Sequence, residues 1–184
     1  MTFDHIIDHV LKLRITTTGT LLIAVDGPGG AGKSTLAAAI AGRFDGGHVV
    51  CLDDFAKPTQ PGWDQARFRR QVLDPLLDGR TANYQRWDWP TNSGAEWHQI
   101  PPGEIVIVEG VSATRTELGD YWDLTVWVET PRAQRLSRGV QRDGEAFRSQ
   151  WTDVWMPEED RYIAAQHPEQ RADLIIEGSA RDMA

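Results

Sequence analysis

Apolar positions along the chain fall into two rhythms. The first is the short continuous run: Leu21-Leu22-Ile23-Ala24-Val25, His48 to Leu52, Ile105-Val106-Ile107-Val108, Leu124-Thr125-Val126-Trp127-Val128 and Leu174-Ile175-Ile176. Runs of this length without polar alternation are expected of strands buried on both faces. The second rhythm is helical. Phe3, Ile6, Ile7, Val10 and Leu11 form one face of a helix ahead of the first run, and Ser34 to Phe44 is rich in Ala and Leu, strong helix formers. Asp64 to Leu77 puts Phe68, Val72, Leu73, Leu76 and Leu77 on an inward face. Two further helices are predicted over Pro131 to Arg142 and Ser149 to Gln166, the latter with Trp151 and Trp155 spaced for core packing. Lys57 to Gly62 reads as a loop, and 79–102, polar and rich in Trp and Pro, yields no assignment. Strands alternating with helices predict an α/β fold, a five-stranded parallel sheet covered by helices on both faces, as one domain over 1–184.

Composition narrows the classes of function. A chain of 184 residues suits one domain, able to bury roughly 70% of its unfolded surface. The net charge of −8 argues against a nucleic-acid groove or an anionic membrane surface as partner. It leaves room for a phosphate ligand held by a few local donors. Cys51 is the single cysteine, so no internal disulfide forms; it lies in an apolar run and reads as a small buried hydrophobe. The N-terminus, with Asp4 and Asp8, has no cationic start followed by an apolar block, and no stretch approaches the ~20 apolar residues of a membrane span. The expectation is a cytoplasmic protein. The histidines show no metal-ligand spacing, so no zinc site is expected.

One motif carries explicit chemistry. Gly27-Pro28-Gly29-Gly30-Ala31-Gly32-Lys33-Ser34 fits G-x-x-x-x-G-K-S, follows a predicted strand and opens a predicted helix. Glycines let backbone N–H groups approach phosphate oxygens, and the helix start adds partial positive charge. The expected nucleotide-binding set is Gly27, Gly29, Gly30, Ala31, Gly32, Lys33, Ser34 and Thr35. Lys33 supplies charge to the β- and γ-phosphates, and Ser34 a hydroxyl to Mg²⁺. The expected ligand is ATP with Mg²⁺.

Two further strand ends bring carboxylates to the same edge. In an open parallel sheet, ligands gather at the carboxyl ends of the strands. Asp53-Asp54 ends the second run and Glu109 the third. A kinase needs a group to orient a hydroxyl and take its proton, and acidic groups on the Mg²⁺ side. One of the aspartate pair suits the first role and Glu109 the second.

Together GPGGAGKS, Leu52-Asp53-Asp54-Phe55 and Val108-Glu109-Gly110 resemble the uridine kinase/phosphoribulokinase/bacterial pantothenate kinase superfamily, uridine kinases above all, from about Leu21 to Ile176. The resemblance implies a three-layer P-loop NTPase fold of the nucleoside monophosphate kinase type with a short lid at about 131–148. It places the catalytic Asp on Asp53, the Mg²⁺-side Glu on Glu109 and a ribose-contacting Asp on Asp64. The family's Tyr-Asp-Phe element falls on Trp87-Asp88-Trp89, and Asn92 stands where uridine kinases carry a base-reading histidine. The lid pattern falls on Arg135-Leu136-Ser137-Arg138 and Arg142-Asp143, whose arginines would close over the transferring phosphate.

The expected site is therefore Asp53, Lys33, Arg138 and Arg142 for catalysis, and Ser34, Glu109 and Asp53 around the metal. Asp64, Arg86, Trp87, Asp88, Asn92 and Arg115 are the expected substrate contacts, on an acceptor-side insertion at about 79–102 and its neighbours. The sequence shows no adenine contacts; Gly178 to Arg181, after the last strand, is the candidate segment. The partners are ATP and a small hydroxyl-bearing molecule, first among them a pyrimidine nucleoside phosphorylated on its 5′-hydroxyl. Another acceptor (a sugar, a pantothenate-like alcohol, a different nucleoside) and a nucleotide-binding regulatory module without an acceptor remain open, as does a homo-oligomer.

Overall fold

The computed structural model describes residues 2–57 and 60–178. A helix, Phe3–Thr16, leads into β1 (Leu21–Asp26), the phosphate loop and a second helix, Lys33–Ala41. Then come β2 (Gly47–Cys51), a 3-10 turn at Leu52–Phe55, β3 (Ala56–Lys57) and β4 (Gln60–Trp63). A helical run over 65–77 precedes β5 (Ala82–Asp88), β6 (Ser93–Ile100), β7 (Ile105–Glu109) and β8 (Leu124–Glu129). The chain continues through the helix Arg132–Asp143, a helical run over 148–166, the short helix Pro168–Arg171 and β9 (Leu174–Glu177).

The expected sheet forms, with five parallel strands in the order β2-β7-β1-β8-β9. The continuous apolar runs of β1, β7 and β8 follow from burial on both faces; β2 and β9, expected to be buried likewise, are edge strands and leave Val49 and Ile175 exposed. Leu22 and Ala24 of β1 face one core with Phe55, Phe68, Leu73 and Tyr84, while Leu21, Ile23 and Val25 face the other with Ile6, Val10, Leu36 and Ile40. A smaller cluster of Val140, Trp151 and Met156 joins the helix Arg132–Asp143 to the run after it.

Three local features depart from the sequence reading. Lys57 to Gly62, expected as a loop, overlaps β3 and β4, which pair antiparallel with Ala56 opposite Trp63 and Lys57 opposite Gln60. Residues 79–102 hold the hairpin β5–β6; Asp88 closes its turn by accepting from the N–H and Oγ1 of Thr91. This two-stranded ribbon stands outside the main sheet, so its strands lack the continuous apolar signal of the others. Leu11 and Leu77, expected inward, are exposed.

Both long helical runs also contain a π turn, Arg69–Leu73 and Trp151–Trp155, each followed two residues later by a proline, Pro75 or Pro157. A proline inside a helix cannot donate and crowds the carbonyl four residues back, and a widened turn relieves both problems.

Ile107 is fully buried at the centre of the sheet. Ile107→Ala is expected to cost about 2–5 kcal/mol, read as a lower urea midpoint at unchanged m-value.

Candidate active site

The phosphate loop leaves β1 at the carboxyl edge. Gly27 has φ 146°. A Cβ there would lie 2.5 Å from the carbonyl oxygen of Val128, so the loop can pass β8 this closely only as glycine. Gly32, at φ 107°, caps the helix Lys33–Ala41. The first-turn N–H groups of Lys33, Ser34 and Thr35 have no intrahelical acceptor, which makes the turn an anion site. Lys33 is buried, with Nζ donating to the carbonyl of Pro28 at 3.0 Å. Two expected loop donors are engaged within the protein. The Gly29 N–H donates to Oε1 of Glu159 at 2.9 Å, and the Ala31 N–H to the carbonyl of Pro28 at 3.2 Å.

Behind the loop lies a residue that the sequence reading missed. Asp26, the last residue of β1, is 1% exposed. Its Oδ1 accepts from the N–H groups of Gly27 (2.7 Å) and Ser112 (2.9 Å). Its Oδ2 accepts from Thr114 N–H (2.9 Å), Thr114 Oγ1 (2.7 Å) and the Tyr162 hydroxyl (2.6 Å). The carboxylate thus ties the root of the loop to the segment after β7 and to the helix near the C-terminus. Burial and the neighbouring Asp26 charge push the Tyr162 hydroxyl well above its ordinary value, so it stays a donor. The one sequence signal for Asp26 is its place immediately before the glycine-rich motif; nothing local marks Thr114 or Tyr162 as its partners.

The register brings Glu109 to the loop. Glu109 lies opposite Val25 of β1 on one side and Cys51 of β2 on the other. It is 4% exposed and accepts from Ser34 Oγ at 3.0 Å. Asp53 is exposed, and Asp54 half-buried, in the 3-10 turn that follows β2. The two diverge in their surroundings. Asp53 and Glu109 act together on Cys51, whose thiol is pushed far up by burial and then by these two charges. They also act together on Arg142, held up mainly by its hydrogen bond to Asp143. Asp54 instead faces His98, Arg86 and Glu96 of the β5–β6 hairpin, and burial pushes its carboxyl up to about 6 against the pull of His98 and Arg86.

The lid arginines divide as well. Arg142 makes two hydrogen bonds to Asp143, 2.7 and 3.0 Å, and lies within electrostatic reach of Asp53 and Glu109. Arg138 donates to the carbonyls of Gly178 (2.8 Å) and, more weakly, Gly30 (3.4 Å), tying the loop to the end of β9. Arg135 is buried on Glu159 at 3.0 Å. Of the candidate adenine segment, Gly178 packs on the loop, its N–H donating to the carbonyl of Glu129; residues 179–181 lie outside the described residues.

The acceptor-side residues are more dispersed. Asp64 caps the helical run 65–77 by accepting from the Arg67 N–H at 2.9 Å. Arg86 bridges Glu96 (2.7 and 3.1 Å) and Asp88 (3.3 Å) along the hairpin. Asn92 sits exposed in the hairpin turn at φ 52°. Trp87 lines a cavity of about 180 Å³ with Arg67, Gln85, Arg86 and Gly94, and its buried Nε1 has no hydrogen-bond partner among the described residues. Arg115 lies over the Trp63 ring at 5.8 Å. Arg67 and Gln85, not among the expected substrate contacts, line the same cavity from the helical run and from β5.

Two outcomes follow. Asp26→Asn turns an amide N–H₂ toward two or three of the five donors and is expected to cost about 3 kcal/mol or more in chemical denaturation, against about 1–2 kcal/mol for Tyr162→Phe. The folded chain holds the Asp54 proton up to about pH 6, the unfolded chain only to its ordinary 3.8. Between these values the folded state binds more protons, so the stability Asp54 contributes is full below the lower value and lost as pH rises through the upper one. Asp54→Asn is expected to remove that loss, so that its urea midpoint, relative to the parent, climbs from about pH 4 to about pH 6 and then levels.

No family model matches the chain. It is 24% identical over 192 residues to a uridine kinase of Halobacterium salinarum, covering 91% of this chain and 84% of that one. Among solved structures, a protein from Bacillus stearothermophilus described as a possible uridine kinase aligns with a TM-score of 0.72 at 20% identity, over 95% of this chain and 96% of that one. A protein from Silicibacter sp. TM1040 described as a candidate fructose transport system kinase aligns with a TM-score of 0.74 at 25% identity, over 96% and 99%. With its five-stranded parallel sheet and its glycine-rich loop, the chain has the P-loop kinase fold and is uridine kinase-like along nearly its whole length.

Proposed function

We propose that the protein is an ATP-dependent kinase that transfers the γ-phosphate to a hydroxyl of a small molecule, with the 5′-hydroxyl of a pyrimidine nucleoside as the first acceptor. The observation that carries this is the 3.0 Å contact of Ser34 with the buried Glu109, with Asp53 at the end of the adjoining strand. A loop that merely bound nucleotide would not need a second carboxylate facing the same crevice.

Mg²⁺ fits these residues. It keeps several waters and takes one or two protein oxygens beside phosphate oxygens, and a serine hydroxyl on one carboxylate is such a donor set. Among the described residues, no group of three or more His, Cys, Asp or Glu could form a full protein cage. Ser34 and Glu109 would hold the ion, which offsets charge on the β- and γ-phosphates. Lys33 and the first-turn N–H groups bind the phosphates. Asp53 orients the acceptor hydroxyl and takes its proton as the oxygen bonds to the γ-phosphorus and the bond to the β–γ bridging oxygen breaks, releasing ADP. Arg142, on the same side, offsets charge on the moving phosphoryl group.

A sugar is the second acceptor to weigh. Asn92 is exposed in a turn rather than set in the cavity wall, and the aligned Silicibacter protein is described as a fructose transport system kinase. ADP release measured over a panel of nucleosides, sugars and vitamin alcohols decides between them, with uridine or cytidine expected to give the largest stimulation. No stimulation by any member would leave only the binding module. Asp53→Asn is expected to lower kcat by ~10²–10⁴ while ADP affinity stays within about threefold. Turnover that survives this change would refute Asp53 as the base.

A further inference from the structure

Among the described residues, one buried ion pair takes no part in the phosphoryl transfer and touches the phosphate loop. Glu159, in the helical run 148–166, and Arg135, in the helix Arg132–Asp143, are each 6% exposed and meet at 3.0 Å. Oε1 of Glu159 accepts from Gly29 N–H, and Oε2 from Arg135 Nη1. Arg135 is fixed in turn by Nε donating to the Thr130 carbonyl at 3.1 Å. Its own carbonyl presses on Gly30, where an added Cβ would come within 2.6 Å. Glu159 also feels the Lys33 charge, although burial as the leading effect pushes its carboxyl up. A carboxylate therefore stands against the loop that must hold phosphates, within electrostatic reach of the lysine that serves them.

A negative charge in that place would repel the ligand unless it were cancelled. Arg135 is the group in contact that cancels it. We infer that Glu159 and Arg135 form a neutral brace that positions the phosphate loop: Glu159 removes the Gly29 N–H from the anion-binding donors and fixes the loop's outer wall, and Arg135 keeps the carboxylate from opposing phosphate binding. Both are positioning residues that act through Gly29 and Lys33. The inference rests on the nucleotide-binding part of the proposed function and needs no acceptor.

The brace makes the two partners unequal. Removing Arg135 leaves a bare carboxylate beside the phosphates; removing the Glu159 charge does not. The test is ADP binding with Mg²⁺ by calorimetry at fixed ionic strength, with thermal melts on the same samples. Arg135→Met is expected to weaken ADP at least tenfold. Glu159→Gln keeps an acceptor for Gly29 and is expected to bind ADP within threefold of the parent or more tightly. The double variant Arg135→Met/Glu159→Gln is expected to recover affinity to within threefold. A purely structural pair would lose affinity alike in both single variants and recover nothing in the double, and either result overturns the proposal. Should Arg135→Met not fold, Glu159→Gln and the charge-preserving Arg135→Lys decide: both are expected within threefold, and a tenfold loss in Glu159→Gln overturns the brace. A protein that binds ADP yet phosphorylates no acceptor would refute the kinase assignment alone. Unchanged ADP affinity in Arg135→Met, in an active kinase, would refute the brace alone.

Discussion

The carboxylate of Asp26 is the joint on which the site is hung. It is buried and surrounded by five hydrogen-bond donors drawn from three segments: the root of the phosphate loop, the stretch after β7 and the helix near the C-terminus. A buried charge is costly unless such donors surround it, so the donors are held where Asp26 needs them. Ser112, one of them, sits at φ 63°, a conformation that a non-glycine residue adopts when its surroundings compel it. Its Oγ also accepts from the Trp63 indole at 3.1 Å. The same carboxylate that roots the phosphate loop thereby reaches, through Ser112, the Trp63 indole, which packs on Phe68 in the core.

What the sequence makes legible here is whatever arises from strong local patterns. The three inner strands β7, β1 and β8 are buried almost throughout, and continuous apolar runs announce that directly, whereas the edge strands β2 and β9 leave Val49 and Ile175 exposed. The phosphate loop announces itself through glycines that the backbone requires, Gly27 against Val128 most plainly. Glu109 was placeable because a strand's last residue must emerge at the carboxyl edge, and the register with Val25 and Cys51 carries it there. The β5–β6 hairpin was not legible, since its pairing depends on cross-strand contacts such as Tyr84 on His98 rather than on an apolar period. The π turns are marked only by Pro75 and Pro157, and a proline in a helical pattern reads first as a helix end.

The pair Asp53-Asp54 illustrates how adjacent identical residues come to do different things. The 3-10 turn sends them to different neighbours. Asp53 joins Glu109 and Arg142 on the donor side, whereas Asp54 looks toward Arg86, His98 and Glu96 on the hairpin. Sequence position cannot separate them; the motif resemblance picks the first, and that one shares Cys51 and Arg142 as electrostatic neighbours with Glu109. Asp54 lies within electrostatic reach of Arg86 and Arg67, two of the residues that line the hairpin cavity.

An acidic chain that receives a polyanion needs its charges sorted by distance rather than summed. At physiological salt, exposed charges farther than about 8 Å away are largely screened, so the net charge of −8 says little about the loop. Charges inside that radius decide. Glu109 is spent on Ser34, where a cation would sit; Asp26 is saturated by neutral donors; Glu159 is matched by Arg135. Each of these three carboxylates thus has a local partner, Asp53 stands exposed at the crevice, and Lys33 and the open first turn of its helix supply the positive side of the field. The charges are accommodated residue by residue, by neutral donors at Asp26 and Glu109 and by a cation at Glu159.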